Sequence, residues 1–214
     1  MNASPTQPTL RVRQRKEREE LILSEAERLL SEHGYQNLVM EQLAERVGIG
    51  KGTIYLHFPR KEDLVGAIVE RGLEQLTSNI DEMAGRTEEP ASERIEAVMH
   101  RIIDGHIGWT RMFEGSDARE LLEGLRRGQS MNHRVSGLLQ AMARLIDQGK
   151  AAGEFDETVD SMVAVVALFA VIRSLTSSNL VGHLPGERAD IISASIRLVF
   201  RGLLVRPADK EAAR

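Results

Sequence analysis

Apolar residues recur at helical spacing along almost the whole chain, and prolines fall where that periodicity stops. Pro59, Pro90 and Pro185 each lie between two periodic segments, and Pro207 follows the last one. Proline is tolerated at a helix boundary but disrupts a helix interior, so these positions fit helices joined by loops. No run of β-branched residues alternates with polar residues as in a half-buried strand. The sequence therefore predicts an all-α fold.

About nine helices are predicted, with a small N-terminal bundle of three followed by a larger bundle. The helix boundaries come from the apolar period of 3.6 residues and from the glycine and proline stops. The predicted ranges are about 12–33, 40–47, 51–58, 61–84, 91–113, a shorter helix from about 117, then 131–151, 157–181 and 187–205.

Charge is distributed unevenly along the chain. The whole chain carries a net charge of -4, which argues against a protein that coats nucleic acid by bulk positive charge. Two short stretches are nevertheless locally basic, one at Arg11–Arg18 and one from Arg46 to Lys61. Cysteine is absent, which excludes a disulfide framework, a thiol nucleophile and a cysteine-ligated metal centre.

The segment from Met40 to Phe58 has the residue pattern of a helix-turn-helix. A short amphipathic helix leads to Gly48, which suits a turn that requires positive φ, and a second short helix follows. If Ile54 and Phe58 are buried, the outer side of the second helix presents four polar or aromatic residues suited to a DNA groove: Lys51, Thr53, Tyr55 and His57. The pattern alone leaves a plain helical hairpin open.

The segment from about Leu21 to Leu64 resembles the N-terminal domain of the TetR family of bacterial transcriptional regulators. The residues that carry the resemblance are Ala26, Gly34-Tyr35, Leu43-Ala44, Val47-Gly48-Ile49, Gly52-Thr53-Ile54-Tyr55, His57-Phe58, Lys61-Glu62 and Leu64. The resemblance implies a dimer that binds operator DNA through the helix-turn-helix, with an inducer enclosed by helices four to seven. The rest of the chain resembles the family in helix count, in length and in the turn Gly153–Phe155 before an apolar helix.

The same resemblance assigns roles to individual residues and boundaries to domains. It places Lys51, Gly52 and Thr53 near the bases, and Tyr55, His57 and Lys61 at the phosphates. Gln42 and Arg60 complete the predicted DNA-binding set. The predicted domains are a flexible basic arm at 1–15, a DNA-binding domain at 16–62, a ligand-binding and dimerisation domain at 63–206, and a flexible tail at 207–214.

The N-terminal part has two unusual helix caps and a basic stretch whose role the sequence does not decide. The family usually has Ser or Thr at the N-caps of helices two and four, whereas this chain has Val39 and Arg60, which are poor caps. The basic stretch Arg11–Arg18 has two readings, a solvated tail or an arm that reaches the minor groove or the DNA backbone.

The middle helices contain many flexible and aromatic residues, which predict an adaptable apolar cavity for a lipophilic effector. The alternative is that these residues are ordinary core, as such residues at helical spacing usually are. The predicted ligand-binding set is Met83, Met99, Ile103, His106, Trp109, Met112, Phe113, Met142 and Phe169. No cofactor and no metal site are predicted.

The predicted eighth helix is apolar around most of its circumference, so most of that circumference must be covered. We predict a homodimer through the helices near 157–181 and 187–205. Arg173 interrupts this apolar surface and pairs either with an acid across the dimer or with an anionic ligand. The longest apolar run, Met162–Ile172, is shorter than the roughly 20 residues that span a membrane. With no secretory signal either, we expect a cytoplasmic protein without membrane segments.

The predicted function is a ligand-responsive DNA-binding repressor that acts as a homodimer on a palindromic operator. The sequence does not distinguish this repressor from an activator or from a regulator that needs its ligand to bind DNA. A helical-bundle enzyme is disfavoured, because no histidine follows Glu or Asp by three residues and no Gly-x-Ser-x-Gly motif is present. A member of the fold that binds protein instead of DNA is disfavoured by the basic patches.

Overall fold

The chain is all-α in a computed structural model that describes residues 9–113 and 115–177, together with 190, 191, 194, 195 and 198. Residues 9–113 and 115–177 contain eight α-helices and a short 3-10 helix, Tyr35–Asn37, and no strand, and the isolated described residues from 190 to 198 are helical. The α-helices are α1 Leu10–His33, α2 Met40–Val47, α3 Lys51–His57, α4 Lys61–Gly85, α5 Ala91–Met112, α6 Ser116–Arg126, α7 Gln129–Ala151 and α8 Ser161–Ser177. The predicted ninth helix at 187–205 and the tail at 207–214 lie almost entirely outside the described residues. None of the described helices is long and apolar enough to cross a membrane.

The described residues form two compact units. The first comprises the described residues within Met1–Glu70 and Arg111–Leu125, and the second those within Arg71–Thr110 and Arg126–Arg214. These units differ from the predicted division at residue 62. The start of α4, the end of α5 and most of α6 belong with the first unit, because their apolar side chains pack there.

The core of the first unit joins its first four helices. The side chains of Ile22 and Leu30 in α1, Leu43 in α2, Ile54 in α3 and Leu64 in α4 are fully buried. Each comes from the apolar side of its helix, and burying one such side chain contributes roughly 1.5–3 kcal/mol. This core fixes α3 against α1 and α2.

Helix α1 begins earlier than the sequence suggested. It starts at Leu10, so residues 10–15 of the predicted flexible arm are helical. The reason is local: Arg, Gln, Lys, Glu and Leu are good helix formers, and Arg15 pairs with Glu19 one turn later at 3.0 Å. The basic residues of this stretch therefore lie along an exposed helix.

The second unit has a continuous apolar core formed by α4, α5, α7 and α8. Its fully or nearly fully buried members include Ile80, Ile95, Leu145, Val165 and Leu168. The turn before α8 closes one end of this core. There the carboxylate of Glu154 accepts hydrogen bonds from the backbone N–H groups of Ala91 and Ser92 at 2.8 and 2.9 Å. These are orphan donors at the start of α5, so Glu154 acts as a cap supplied from a distant part of the chain.

A buried arginine supplies hydrogen-bond donors to the C-terminal end of α4. Arg94 is 4% exposed, and its Nη1 donates to the carbonyls of Met83 and Ala84 and to Gln148 Oε1. The two carbonyls belong to the last turn of α4, where backbone acceptors lack helical partners. Arg94 thus joins the end of α4 to α5 and α7.

Candidate nucleic-acid interface

The turn between α2 and α3 has the geometry that the sequence predicted. Gly48 adopts φ 75° and ψ 32°, a left-handed conformation that glycine takes without strain. The N–H of Ile49 donates to the Ala44 carbonyl at 2.9 Å, which ends α2 and turns the chain toward α3. The helix-turn-helix is therefore present as two short helices held by a tight glycine turn.

Helix α3 divides into a buried side and an exposed side. Ile54 is fully buried and Phe58 is 8% exposed, as expected. Lys51, Gly52 and Tyr55 are exposed, while Thr53 is half-buried. Gln42 on α2 is also exposed. The first turn of α3 thus offers an ammonium, a hydroxyl and an open backbone at one surface.

A carboxylate that the sequence analysis did not single out lies at the centre of this surface. Glu41, in the first turn of α2, forms an ion pair with Lys51 and accepts a long hydrogen bond, 3.5 Å, from the Tyr55 hydroxyl. The hydrogen bond from Lys51 lowers the pKa of Glu41, and the same contact raises the pKa of Lys51. One carboxylate therefore holds two members of the predicted DNA-binding set.

The prediction that His57 lies on the outer side of α3 is wrong. Its side chain is 7% exposed, and its Nδ1 lies 3.1 Å from Glu19 Oε1 on α1. Position 57 follows the buried Ile54 by three residues, so both side chains lie on the same side of the helix. Burial acts to raise the pKa of Glu19, but hydrogen bonds from His57 and Arg15 outweigh it and lower that pKa. His57 fixes α3 against α1 instead of presenting its ring to solvent.

The start of α4 presents two cations in different environments. The guanidinium of Arg60 makes two hydrogen bonds to the Asp63 carboxylate, at 3.1 and 2.6 Å, and this contact lowers the pKa of Asp63. Lys61 is half-buried, with its Nζ 4.1 Å from the centre of the Tyr35 ring, and burial lowers its pKa. Such a cation–π contact holds the ammonium over the Tyr35 ring.

Leu56 is a second exposed residue that the sequence analysis passed over. It is 78% exposed, although leucine is usually buried, and it lies one residue before the end of α3. An apolar side chain on a recognition helix can contact a thymine methyl group. The signal that could have found it is its position two residues after the buried Ile54, on the far side of the helix.

The structure confirms the position of the missing cap on α2. Val39 is the N-cap residue, with φ -111° and ψ 122°, and no side-chain hydrogen bond caps the helix there. At α4 the N–H of Leu64 donates to the Arg60 carbonyl at 3.3 Å, which places Arg60 in the corresponding position.

Replacing Val39 by threonine is expected to raise the free energy of unfolding by about 1 kcal/mol, because the hydroxyl can accept from an unpaired N–H in the first turn. Val39 is 40% exposed, so exchanging a methyl for a hydroxyl removes little buried surface. Chemical denaturation measures the change. Val12→Thr is the control, since Val12 is 48% exposed within α1 and caps nothing. Equal effects of both substitutions would contradict the capping explanation.

The predicted ligand-binding residues fall into two groups. Met83, Met99, Ile103 and Met142 are buried in the core of the second unit, and Phe169 packs against that core. Trp109 is half-buried beside Gly72, where an added Cβ would lie 3.0 Å from the indole ring. The His106 side chain lies outside the described residues.

Met112 and Phe113 belong to the first unit, not to the group in the second. Phe113 is buried, with its ring centre 6.3 Å from that of Tyr35. These two residues therefore lie in a different unit from the buried methionines, and their place in the ligand-binding set stays a prediction. Helix α5 continues past the second unit, so helical spacing alone did not show where one core ends and the other begins.

The methionines Met83, Met99 and Met142 are at most 4% exposed. One small cavity in the second unit measures about 10 Å³, which is room for one water at most. Its lining includes none of the predicted ligand-binding residues and consists of Ile95, Ile146, Lys150, Phe155, Asp156, Val159, Ala164 and Leu168. A ligand that enters among Met83, Met99 and Met142 has to displace these side chains.

Helix α8 buries one side and exposes apolar residues on the other. Val165 and Leu168 are within 1% of full burial, whereas Val163 is 64% and Val166 51% exposed. Met162 continues the exposed side. A contiguous apolar strip of this kind on a helix indicates a contact surface.

Comparison with known proteins relates this chain to bacterial regulatory proteins. Residues 22–68 match the family model described as "Bacterial regulatory proteins, tetR family". The fatty acid metabolism regulator protein of Bacillus subtilis is 20% identical over 182 residues, which cover 85% of this chain and 93% of that protein. A set of further curated relatives is 31–32% identical, and the matches span 56–57% of their length.

Solved structures share the fold over nearly their whole length. A transcriptional regulator of the TetR/AcrR family from Thermobifida fusca is 25% identical with a TM-score of 0.65, over 87% of this chain and 98% of that one. The transcriptional regulator FadR from Bacillus subtilis in complex with stearoyl-CoA is 19% identical with a TM-score of 0.61, over 86% and 98%.

Proposed function

The chain belongs to the tetR family of bacterial regulatory proteins, and from this premise we propose that it is a homodimeric repressor released from a palindromic operator by a lipophilic effector. The broader statement, a DNA-binding transcriptional regulator with a helix-turn-helix, is established by the family match. The repressor role, the operator symmetry, the dimer and the effector are the proposal. We place the protein in the cytoplasm, with the DNA that it regulates.

The observation that carries the DNA-binding part is the exposed first turn of α3. Lys51 and Tyr55 lie one turn apart on its outer side, and Gly52 lets the backbone approach the groove closely. Lysine can reach guanine or a phosphate, and a tyrosine hydroxyl can donate to a phosphate. We assign Gln42, Thr53, Arg60 and Lys61 to supporting contacts around this turn.

The exposed strip on α8 supports a homodimer. A second copy of the strip around Val163 and Val166 is a self-complementary cover, as a two-fold interface requires. We assign the segment 187–205 to the same interface. In a symmetric dimer the two recognition helices read half-sites about 34 Å apart or a multiple of that spacing, which is why the operator should be palindromic.

The methionine-rich core of the second unit supports an acyl-type effector. Met83, Met99 and Met142 are buried together, and methionine side chains can repack around an inserted chain at low cost. The solved FadR structure holds stearoyl-CoA, which makes a long acyl chain the first candidate. Binding would favour a form of the dimer in which the recognition helices no longer match successive grooves.

Operator binding tests the proposal. A duplex selected from a randomised pool serves as the probe for fluorescence anisotropy, with Tyr55→Ala as the test variant. We expect Tyr55→Ala to weaken operator binding by about tenfold to a hundredfold, the usual loss for one contact in the groove. Gln75→Ala, at an exposed position of α4 in the second unit, should bind as the wild type does.

The same probe tests the effector. Release of the bound duplex by stearoyl-CoA, but not by coenzyme A alone, is the expected result. Tighter binding in the presence of the acyl ligand would instead identify a regulator that requires its ligand to bind DNA. A protein that selects no sequence, and for which Tyr55→Ala changes nothing, would contradict the assignment of α3 as the recognition helix.

A further inference from the structure

Acidic side chains contact most of the lysine, arginine and histidine residues predicted to contact DNA. Glu41 pairs with Lys51, Glu19 with His57, and Asp63 with Arg60. These pairs differ in what they connect. The Glu19 pair is largely covered, and the Asp63 pair joins two residues within one turn of α4.

Glu41 alone among these acids connects two side chains of the recognition helix. Lys51 and Tyr55 are separated by four residues, so they lie on one side of α3, one turn apart. The carboxylate comes from α2 and contacts both, so it spans that turn from outside. The contact lies on the exposed side of the helix pair, whereas Leu43 and Ile54 join α2 and α3 on the buried side.

All three side chains are accessible to a DNA duplex. The exposed fraction of the side chain is 63% for Lys51 and 42% for Glu41, and Tyr55 as a whole residue is 36% exposed. A carboxylate in this place repels phosphate and therefore weakens general attraction to DNA. Its presence calls for a second role that offsets this loss. Holding two readers in one arrangement before binding is such a role, because it reduces the side-chain entropy lost in the complex.

We propose that Glu41 is a positioning residue that sets DNA specificity: it holds Lys51 and Tyr55 in the arrangement that reads the operator and withholds the Lys51 ammonium from the phosphates of other sequences. This inference rests on the proposed role of α3 as the recognition helix. It differs from simple competition between Glu41 and DNA for Lys51. Competition would weaken binding to operator and to other DNA alike, whereas positioning helps one and hinders the other.

Replacing Glu41 by glutamine separates these two possibilities, because the amide keeps the shape and loses the charge. We expect E41Q to bind random-sequence duplex about threefold tighter and the operator about fivefold more weakly, which are the sizes that exposed ion pairs support. The dependence of random-sequence binding on salt should steepen by about 0.9 in log–log slope, since Lys51 is then free to neutralise one more phosphate. The ratio of the two affinities therefore falls by about fifteenfold, the product of these changes.

One control variant tests the effect of charge alone, and a second tests whether Glu41 acts through Lys51. Glu45→Gln removes the same charge one turn later in α2, at a carboxylate without an ion pair to Lys51 in the part of the chain that the structure describes. It should change both affinities in the same direction and leave their ratio near the wild-type value. In a Lys51→Met background, E41Q should raise random-sequence affinity no more than Glu45→Gln does, because only the loss of one negative charge remains and the release of Lys51 is gone.

The free protein supplies a readout that does not depend on DNA. The side-chain ¹⁵N signal of Lys51 should show slower motion in the wild type than in E41Q, and a melting curve should show both proteins folded. Parallel changes in the two affinities, or an unchanged ratio, would overturn the positioning role. A wild-type protein that binds no DNA, with Lys51 still restrained by Glu41, would count against the proposed function and not against the contact.

Discussion

Substituting alanine for Gly149 is expected to destabilise the protein by about 3 kcal/mol, the upper range for forcing an extra methyl group into a packed core. Gly149 lies in α7, where a Cβ would meet the Phe155 ring at 2.2 Å from Cε2 and 2.3 Å from Cδ2, and Ala91 Cβ at 3.0 Å. Contacts under 3 Å between carbon atoms require something to move. Phe155 and Ala91 are both buried, so neither can move into solvent.

The Phe155 ring is further restricted by its position in the chain. It follows Glu154, whose carboxylate caps the start of α5 through Ala91 and Ser92. Moving the ring away from α7 therefore strains a turn that is tied to another helix. The added methyl group is expected to break this end of the core and not merely to shift it.

Chemical denaturation of G149A measures this effect, with Gly137→Ala as the matched control. Gly137 lies in the same helix, and a Cβ there would have no atom within 4 Å. Alanine at Gly137 should stabilise the protein by about 0.5–1 kcal/mol, the usual gain in a helix interior. Similar effects of the two substitutions would show that the contact with Phe155 is relieved at low cost. Partial recovery of stability in G149A with Phe155→Leu would support the steric explanation.

The helices of the N-terminal part could be predicted closely because their boundaries depend on neighbouring residues. Gly48 ends α2, Pro59 follows α3, and the predicted ranges 40–47, 51–58 and 61–84 agree with the structure to within a residue. The same kind of local information placed Val39 at an N-cap. The all-α fold predicted in this way is confirmed, and residues 22–68 match the family model that the resemblance indicated.

Contacts between residues far apart in the chain could not be predicted. The pair His57–Glu19 joins positions 38 residues apart, and nothing near His57 in the sequence indicates it. Phe113 reads as part of an apolar helix, but its partner is Tyr35 in the first unit. Glu41 lies within the helix-turn-helix motif, yet only the angle between α2 and α3 brings it to Lys51.

The start of α8 shows how a local signal can be outweighed by another. The sequence suggested a helix from about 157, whereas the structure begins it at Ser161. The Asp156 carboxylate accepts from the backbone and hydroxyl of Thr158, which closes a turn, and Asp160 accepts from the N–H of Val163 at 2.9 Å. Short polar side chains that bond to nearby backbone favour turns and caps over helix interiors.

Introducing glutamate at Val166 should convert the proposed dimer into a monomer and reduce operator affinity by about a hundredfold or more, because a buried, unpaired carboxylate costs several kcal/mol at a two-fold interface that contains it twice. Val166 is 51% exposed in the single chain, so V166E should leave the protomer folded. Analytical ultracentrifugation gives the oligomeric state, and anisotropy with the selected duplex gives the affinity.

Val135→Glu is the matched control for V166E, since it makes the same substitution at a 37% exposed valine on α7 that is not part of the α8 strip. The control should remain a dimer. If V166E also remains a dimer, the strip on α8 is not the interface, and the exposed valines need another partner. If V166E is a monomer that keeps full operator affinity, the two half-sites are read independently. In that case a dimer does not require a palindromic operator. Release by an effector then cannot depend on the spacing between two recognition helices.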